Sequence, residues 1–170
     1  EASPILGGMT PAAPLMLCLL EPANPDTKIE PGEYIYTLGC SLTTYYVRFV
    51  AYKDNKFQLV KKSSELKAIF APIQTSEEAL GYAIARTGYS PLFSLKDSNM
   101  RYLVNQIEDT HVLASGDSFI VNLYNFNICG CAPHAMTRYD VKVSPDGSLL
   151  VQDASVPVWE DPTQDEICND

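Results

Sequence analysis

Positive charge is scarce in this chain of 170 residues, which holds 12 lysines and arginines against 21 aspartates and glutamates, a formal net charge of −9. Six of the acidic residues lie between Asp153 and Asp170, with no basic residue among them. Partners such as nucleic acid or an anionic membrane require a positive footprint on the protein. The overall charge therefore argues against both classes of partner.

One local exception is a run of lysines in the first half of the chain. These are Lys53, Lys56, Lys61, Lys62 and Lys67. Lysines at the edge of a sheet block unwanted pairing with other strands. We therefore expect this run to form a solvated hairpin edge.

Long apolar runs are also missing. A helix needs about 20 apolar residues to span a bilayer, whereas Leu15–Leu20 has only six, preceded by Pro11 and Pro14 and followed by Glu21. We predict no transmembrane segment. No basic stretch precedes an apolar core, as a signal peptide would require, and the chain opens at Glu1. We expect an exported mature chain, with a cytosolic protein that buries its thiols as the alternative.

The motifs of several enzyme and cofactor classes are absent. The sequence holds no Gly-x-Ser-x-Gly elbow, no phosphate-binding glycine loop and no Cys-x-x-Cys-His, so serine hydrolysis, nucleotide binding and covalent haem have no support. The acidic residues Glu160, Asp161, Asp165 and Glu166 lack the spacing and the glycine of an EF-hand. We interpret them as part of a solvated tail.

Aromatic residues, in contrast, are abundant, with ten tyrosines and six phenylalanines, and aromatic side chains favour strands. The clearest strand covers residues 43–53, and Asp54-Asn55 predicts a turn into a partner strand. Pro145-Asp146-Gly147 predicts a second hairpin. Further strands are expected at 34–38, 100–107, 112–114, 119–129, 139–143 and 149–151. Tyr45, Tyr46 and Tyr52 are candidates for a binding face.

One main helix is predicted over residues 75–88. Thr75 and Glu78 have the spacing of a capping box, and Gly88 is suited to end the helix. Residues 63–70 predict a shorter helical turn. Together these patterns indicate an α+β fold, in which the main helix packs on an antiparallel sheet of six to eight strands.

Prolines set the first 33 residues apart from the rest. Six of the 12 prolines lie there, and they exclude a regular helix or a central strand. The segment is nevertheless apolar and needs cover. We predict an extended arm over residues 1–33, which packs on its own domain or on a neighbouring molecule, and a single α+β domain over residues 34–170.

The cysteines are all candidates for disulfide bonds. They are Cys18, Cys40, Cys129, Cys131 and Cys168. An odd number leaves at least one without an internal partner. We expect Cys129 or Cys131 to bond Cys168 and so anchor the acidic tail, with Cys18–Cys40 as a second pair.

The hexapeptide from Cys129 to His134 supports two other hypotheses. Cys129, Cys131 and His134 are a candidate site for zinc or copper, with a fourth ligand from Cys168, Cys40 or His111. Alternatively, Cys129 or Cys131 is a catalytic nucleophile with His134 or His111 as its base, which predicts a cysteine-dependent hydrolase.

The function that we predict is non-enzymatic. We expect an exported bacterial module, extracellular, on the cell surface or in the periplasm, that acts by binding or assembly without a cofactor. Its partner is a protein or a second copy, reached through the apolar arm in the manner of strand addition.

Overall fold

The computed structural model describes residues 15–22, 24, 27, 29–95, 99–152 and 156–169. These residues form ten strands and two α-helices, arranged as two antiparallel sheets. The predicted α+β class is confirmed. The strands divide into sheets of four and six, because the residues between 61 and 111 are taken up largely by helices and loops that separate the first hairpin from the later strands.

The four-stranded sheet is centred on β3, residues Tyr45–Lys53. Strand β1, Leu15–Leu20, pairs along one side of β3. Strands β2, Tyr36–Leu38, and β4, Lys56–Val60, share the other side. Asp54 and Asn55 both have positive φ, 52° and 60°, as a two-residue hairpin turn requires.

The six-stranded sheet is centred on β7, Ser118–Asn127, and β8, Ala135–Val143. Strand β6, Val112–Ser115, pairs with the far side of β7. Strands β9, Leu149–Val151, and β10, Val156–Glu160, share the far side of β8. The two-residue strand β5, Arg101–Tyr102, pairs with β10.

Helix α2, Ser76–Thr87, has the predicted ends. The Thr75 hydroxyl accepts a hydrogen bond from the Glu78 amide, and the Glu78 carboxylate accepts one from the Thr75 amide. Gly88 ends the helix with φ +74°, and a Cβ atom there would lie 2.5 Å from the Tyr36 ring. Helix α1, Ser63–Phe70, is two full turns and contacts α2.

One hydrophobic core joins both sheets and both helices. Helix α2 packs against β6, β7 and β8, and its Tyr82 hydroxyl donates a hydrogen bond to the Gly147 carbonyl oxygen in the β8–β9 turn. The main buried residues contributed by the strands are Val47, Phe49, Ala51, Val121, Leu123, Val141 and Val143. Neither helix of the described residues is long and apolar enough to cross a membrane.

One sequence expectation changes. The predicted strand 100–107 is reduced to Arg101–Tyr102, because the chain then turns and packs Val104 and Ile107 against Tyr124 and Trp159 in a second, smaller apolar cluster. Strand β1 belongs to the predicted arm of residues 1–33 and pairs with β3 of its own domain. Residues 1–14 of that arm lie outside the described residues.

Candidate functional site

The segment Cys129-Gly130-Cys131 is a junction between three parts of the fold. Cys129 forms a disulfide bond with Cys40, which follows β2, and this bond links the two sheets across 89 residues of sequence. Cys131 forms a disulfide bond with Cys168 in the C-terminal tail, 37 residues away. Two disulfide bonds in one chain indicate folding in an oxidising compartment.

Backbone hydrogen bonds reinforce the attachment of the tail. The Gly130 amide donates to the Asn169 carbonyl oxygen at 2.7 Å, and the Asn169 amide donates back at 3.0 Å. Gly130 has φ +82°, a conformation that glycine adopts readily. The tail is therefore held to the end of β7 by a covalent bond and by a short backbone ladder.

The cysteine pairing resolves the alternatives left by the sequence. Cys131 is the residue that bonds Cys168. The Cys18–Cys40 pair does not form, because the linkage between the sheets uses Cys40, while Cys18 lies opposite Arg48 within the four-stranded sheet. Cys18 is the free cysteine of the described residues, and its side chain is half-buried.

His134 is fully buried and contacts the tail rather than the sulfur atoms. Its Nε2 lies 3.0 Å from the Ile167 carbonyl oxygen. Because a carbonyl oxygen only accepts, Nε2 carries the proton, and Nδ1 has no hydrogen-bond partner among the described residues. His111, in another loop, bonds the Asp109 carbonyl oxygen through Nδ1 at 2.8 Å.

The structure does not assemble the predicted metal or nucleophile sites. With both bonds intact, Cys129 and Cys131 present no thiolate, the form in which cysteine binds a metal or attacks a carbonyl. Within the described ranges, no group of three or more His, Cys, Asp or Glu side chains is placed to hold a metal ion. In the acidic tail, Asp161 instead caps a short 3-10 helix by accepting from the Thr163 amide.

Thiol counting provides a direct test of this pairing. Under denaturing conditions without reductant, we expect one cysteine per chain, Cys18, to react with iodoacetamide, and all five to react after reduction. Intact-mass spectrometry with peptide mapping measures both numbers. Five reactive thiols before reduction would contradict the disulfide assignment, and a labelled Cys40 would contradict the pairing.

A different surface, on the four-stranded sheet, is open for binding. Alternate residues of β3 point inward, and the others point away from the core. On the outward side, Val50 lies between Met16 of β1 and Leu59 of β4, and Tyr52 lies opposite Phe57. We call these five residues the outer apolar face. Phe57 is 76% exposed, Met16 64% and Leu59 50%.

The outer apolar face presents two aromatic rings to solvent. The Tyr52 and Phe57 ring centroids lie 5.0 Å apart, and Tyr52 is 40% exposed. A fully exposed aromatic side chain presents about 200 Å², so this pair alone presents roughly 230 Å² to solvent. The largest contiguous apolar patch on a typical monomer covers about 300–600 Å² and is often functional, and Met16, Val50 and Leu59 extend this pair toward that size.

A set of charged residues lies beside this face. The Lys61 ammonium lies 2.6 Å from the Glu33 carboxylate, and Arg48 lies 3.8 Å from the same oxygen. The hydrogen bond from Lys61 lowers the pKa of Glu33, and the nearby Lys62 and Arg48 act in the same direction. Lys61 and Arg48 are thus engaged within the fold.

Strand β1 forms one edge of the same sheet. Among the described strands it pairs only with β3, and its sequence LMLCLL contains no charged residue and no proline. Edge strands in monomeric proteins usually carry such residues, because a bare apolar edge pairs with other chains. The β1 edge is therefore a candidate site for strand addition.

The tyrosines predicted to form a binding face separate in the structure. Tyr52 lies on the outer apolar face, whereas Tyr46 is 9% exposed and packs edge-to-face on Tyr34, and Tyr45 is half-buried. The other residues of the outer apolar face were not predicted from the sequence. The sequence signal was their spacing about the Asp54-Asn55 turn, which places Val50 opposite Leu59 and Tyr52 opposite Phe57 on one face of the hairpin.

Comparison with family models, with curated proteins and with solved structures gives no match for this chain. The fold and its two disulfide bonds define a small oxidised α+β domain.

Proposed function

We propose that this chain is an exported assembly module that self-associates by strand addition at β1. The observation that carries the proposal is the apolar strand β1, LMLCLL, which contains no charged residue and no proline and pairs with β3 alone among the described strands. Charged residues and proline are common devices that block pairing with another chain. The setting proposed from the sequence is the bacterial periplasm or cell surface. An oxidising compartment of that kind supports the two disulfide bonds.

A second copy is the partner that suits this edge. Two β1 strands running antiparallel about a two-fold axis would match apolar residues with apolar residues, and the same surface would serve both subunits. The two four-stranded sheets would then form one continuous sheet. The chain carries a net charge of −9, so like chains repel at most surfaces, but β1 contributes no charge to that repulsion.

Deleting the arm is a poor test of this proposal. Leu15 and Leu17 pack against the hydrophobic core, so removing residues 1–20 removes part of the fold together with the edge. Substitutions at the exposed positions of β1 leave those contacts in place. Met16 is 64% exposed and Leu19 is 54% exposed.

The double variant Met16→Lys/Leu19→Lys is expected to weaken self-association about tenfold or more, because lysine on an edge strand opposes pairing and like charges meet across the interface. A matched control is Leu113→Lys/Leu150→Lys, with exposures of 55% and 63% on strands of the other sheet. Sedimentation velocity over a dilution series measures both. A wild-type chain that stays monomeric throughout would contradict the proposal, and so would equal weakening by the control.

A further inference from the structure

The tip of the β3–β4 hairpin is open to solvent. All eight residues from 52 to 59 are exposed, on both sides of the Asp54-Asn55 turn. On one face, Lys53 and Gln58 line a shallow cavity with Glu65 and Ile69 of helix α1. On the other face, the side chains of the hairpin belong to the outer apolar face.

Half of the positive charge of the chain lies in and beside this hairpin. Residues 48–67 contain six of the 12 basic residues and two acidic residues, but Arg48, Lys61 and Lys67 form ion pairs with Glu33 and Asp146 from outside this segment. The charge that the hairpin offers to a partner is therefore that of Lys53 and Lys56. Lys53 and Lys56 are cross-strand partners at the tip. Like charges placed directly opposite destabilise a hairpin, and neither lysine makes an ion pair with a described residue.

The same tip carries the aromatic pair of the outer apolar face. Tyr52 and Phe57 are the cross-strand pair adjacent to Lys53 and Lys56. Leu59 and Met16 continue the apolar surface behind the rings. Because successive side chains of a strand point to opposite faces, the two ammonium groups and the two exposed rings lie on opposite faces of the same hairpin end.

We propose that the β3–β4 hairpin docks onto an anionic lipid bilayer. Aromatic rings favour the interfacial layer of a membrane, and lysine places its ammonium group among the phosphates while its alkyl stem remains in apolar surroundings. A hairpin end with rings on one face and ammonium groups on the other can enter a soft interface end-on, without a preformed complementary cavity. The charge of the tip is opposite to that of the lipid headgroups.

The acidic remainder of the chain does not prevent this contact. At physiological ionic strength the Debye length is about 8 Å, so charges farther than this from the membrane are largely screened. The lysines at the tip reach the headgroups, and the attraction they make is local. The overall charge of −9 argues against a broad membrane footprint but not against one basic hairpin.

Co-sedimentation with lipid vesicles tests the proposal. The probes are vesicles of phosphatidylcholine alone and vesicles of phosphatidylcholine mixed with phosphatidylglycerol, with binding expected only to the second. Lys53→Gln/Lys56→Gln is expected to weaken binding about thirtyfold, since each lysine at an anionic surface contributes about a fivefold gain. Phe57→Ser is expected to weaken it about tenfold through lost apolar burial.

Two variants serve as matched controls. Phe93→Ser removes a ring that is 59% exposed elsewhere, and Lys142→Gln removes a lysine from β8; both are expected to bind vesicles as the wild type does. Equal binding to the two kinds of vesicle, or an unchanged affinity in Phe57→Ser, would overturn the proposal. Equally tight binding of soluble polyglutamate that also depends on Phe57 would assign the hairpin to an acidic protein instead.

Self-association and vesicle binding depend on different residues, and single variants separate them. Leu19→Lys, on β1 but outside the outer apolar face, should impair assembly while retaining vesicle binding. Phe57→Ser should impair vesicle binding while leaving the sedimentation behaviour of the protein alone unchanged. Loss of vesicle binding in Leu19→Lys, with its fold intact, would contradict a hairpin that docks without the β1 edge.

Discussion

Replacing Cys40 and Cys129 with alanine is expected to lower the free energy of unfolding by about 4.5 kcal/mol, the chain-entropy value for the long loop that this bond closes. The bond joins the two sheets across a sequence separation of 89 residues. Without it, the unfolded chain gains the conformational freedom that the bond removes. Urea denaturation of the oxidised proteins measures the difference.

The Cys131–Cys168 bond provides a comparison, because the chain-entropy model gives a smaller loss of stability for a shorter loop. The Cys131–Cys168 bond closes a shorter loop, with a sequence separation of 37 residues, and replacing both cysteines with alanine is expected to cost about 4 kcal/mol. It should also release the tail, seen as faster hydrogen exchange at the Gly130 and Asn169 amides. Cys18→Ala, which removes a free thiol, is the control. If both double variants had the same free energy of unfolding as Cys18→Ala, this would contradict a stabilising role for the disulfide bonds of the Cys129-Gly130-Cys131 junction.

Phe49→Ala is expected to lower the free energy of unfolding by about 3–5 kcal/mol, because it empties a core position. Phe49 lies on the inward side of β3 and is 2% exposed. Phe57→Ala, on the outer apolar face of the same sheet, is expected to change stability by no more than about 0.5 kcal/mol. The two substitutions remove the same atoms from opposite sides of one sheet.

This pair of variants, measured by the same urea titration, tests whether the outer apolar face is free for binding. A loss in Phe57→Ala as large as that in Phe49→Ala would mean that the ring of Phe57 is covered in the native protein. The hairpin would then be unavailable to a membrane, and its exposed chemistry would need another explanation. A small effect leaves the face available.

The elements that were predicted correctly from the sequence are those whose determining residues lie within a few positions of each other. Helix α2 follows from the Thr75–Glu78 capping box and from Gly88, all within one segment. The hairpin turns at Asp54-Asn55 and at Pro145-Asp146-Gly147 follow from residues that tolerate turn conformations. Each of these signals acts over a few residues, so no distant contact is needed to read it.

The division into two sheets could not be predicted from local sequence in this way. Strand β1 reads as part of a proline-rich arm, and only its pairing with β3 makes it an edge strand. Residues 103–107 read as strand, but the small cluster around Trp159 draws them into loops. Strands that pair and side chains that pack together lie far apart in sequence, so local sequence patterns do not predict these contacts.

The candidate functional surfaces likewise depend partly on local sequence and partly on long-range contacts. Sequence composition by itself determined that the chain is an acidic α+β domain with cysteines suited to an oxidising compartment, because these properties depend on residue content and local pattern. Only the tertiary structure decided that Cys129 and Cys131 face different partners, and that Met16 of β1 joins Val50 and Leu59 on one face of the sheet. Both outcomes depend on which distant residues become neighbours when the core forms.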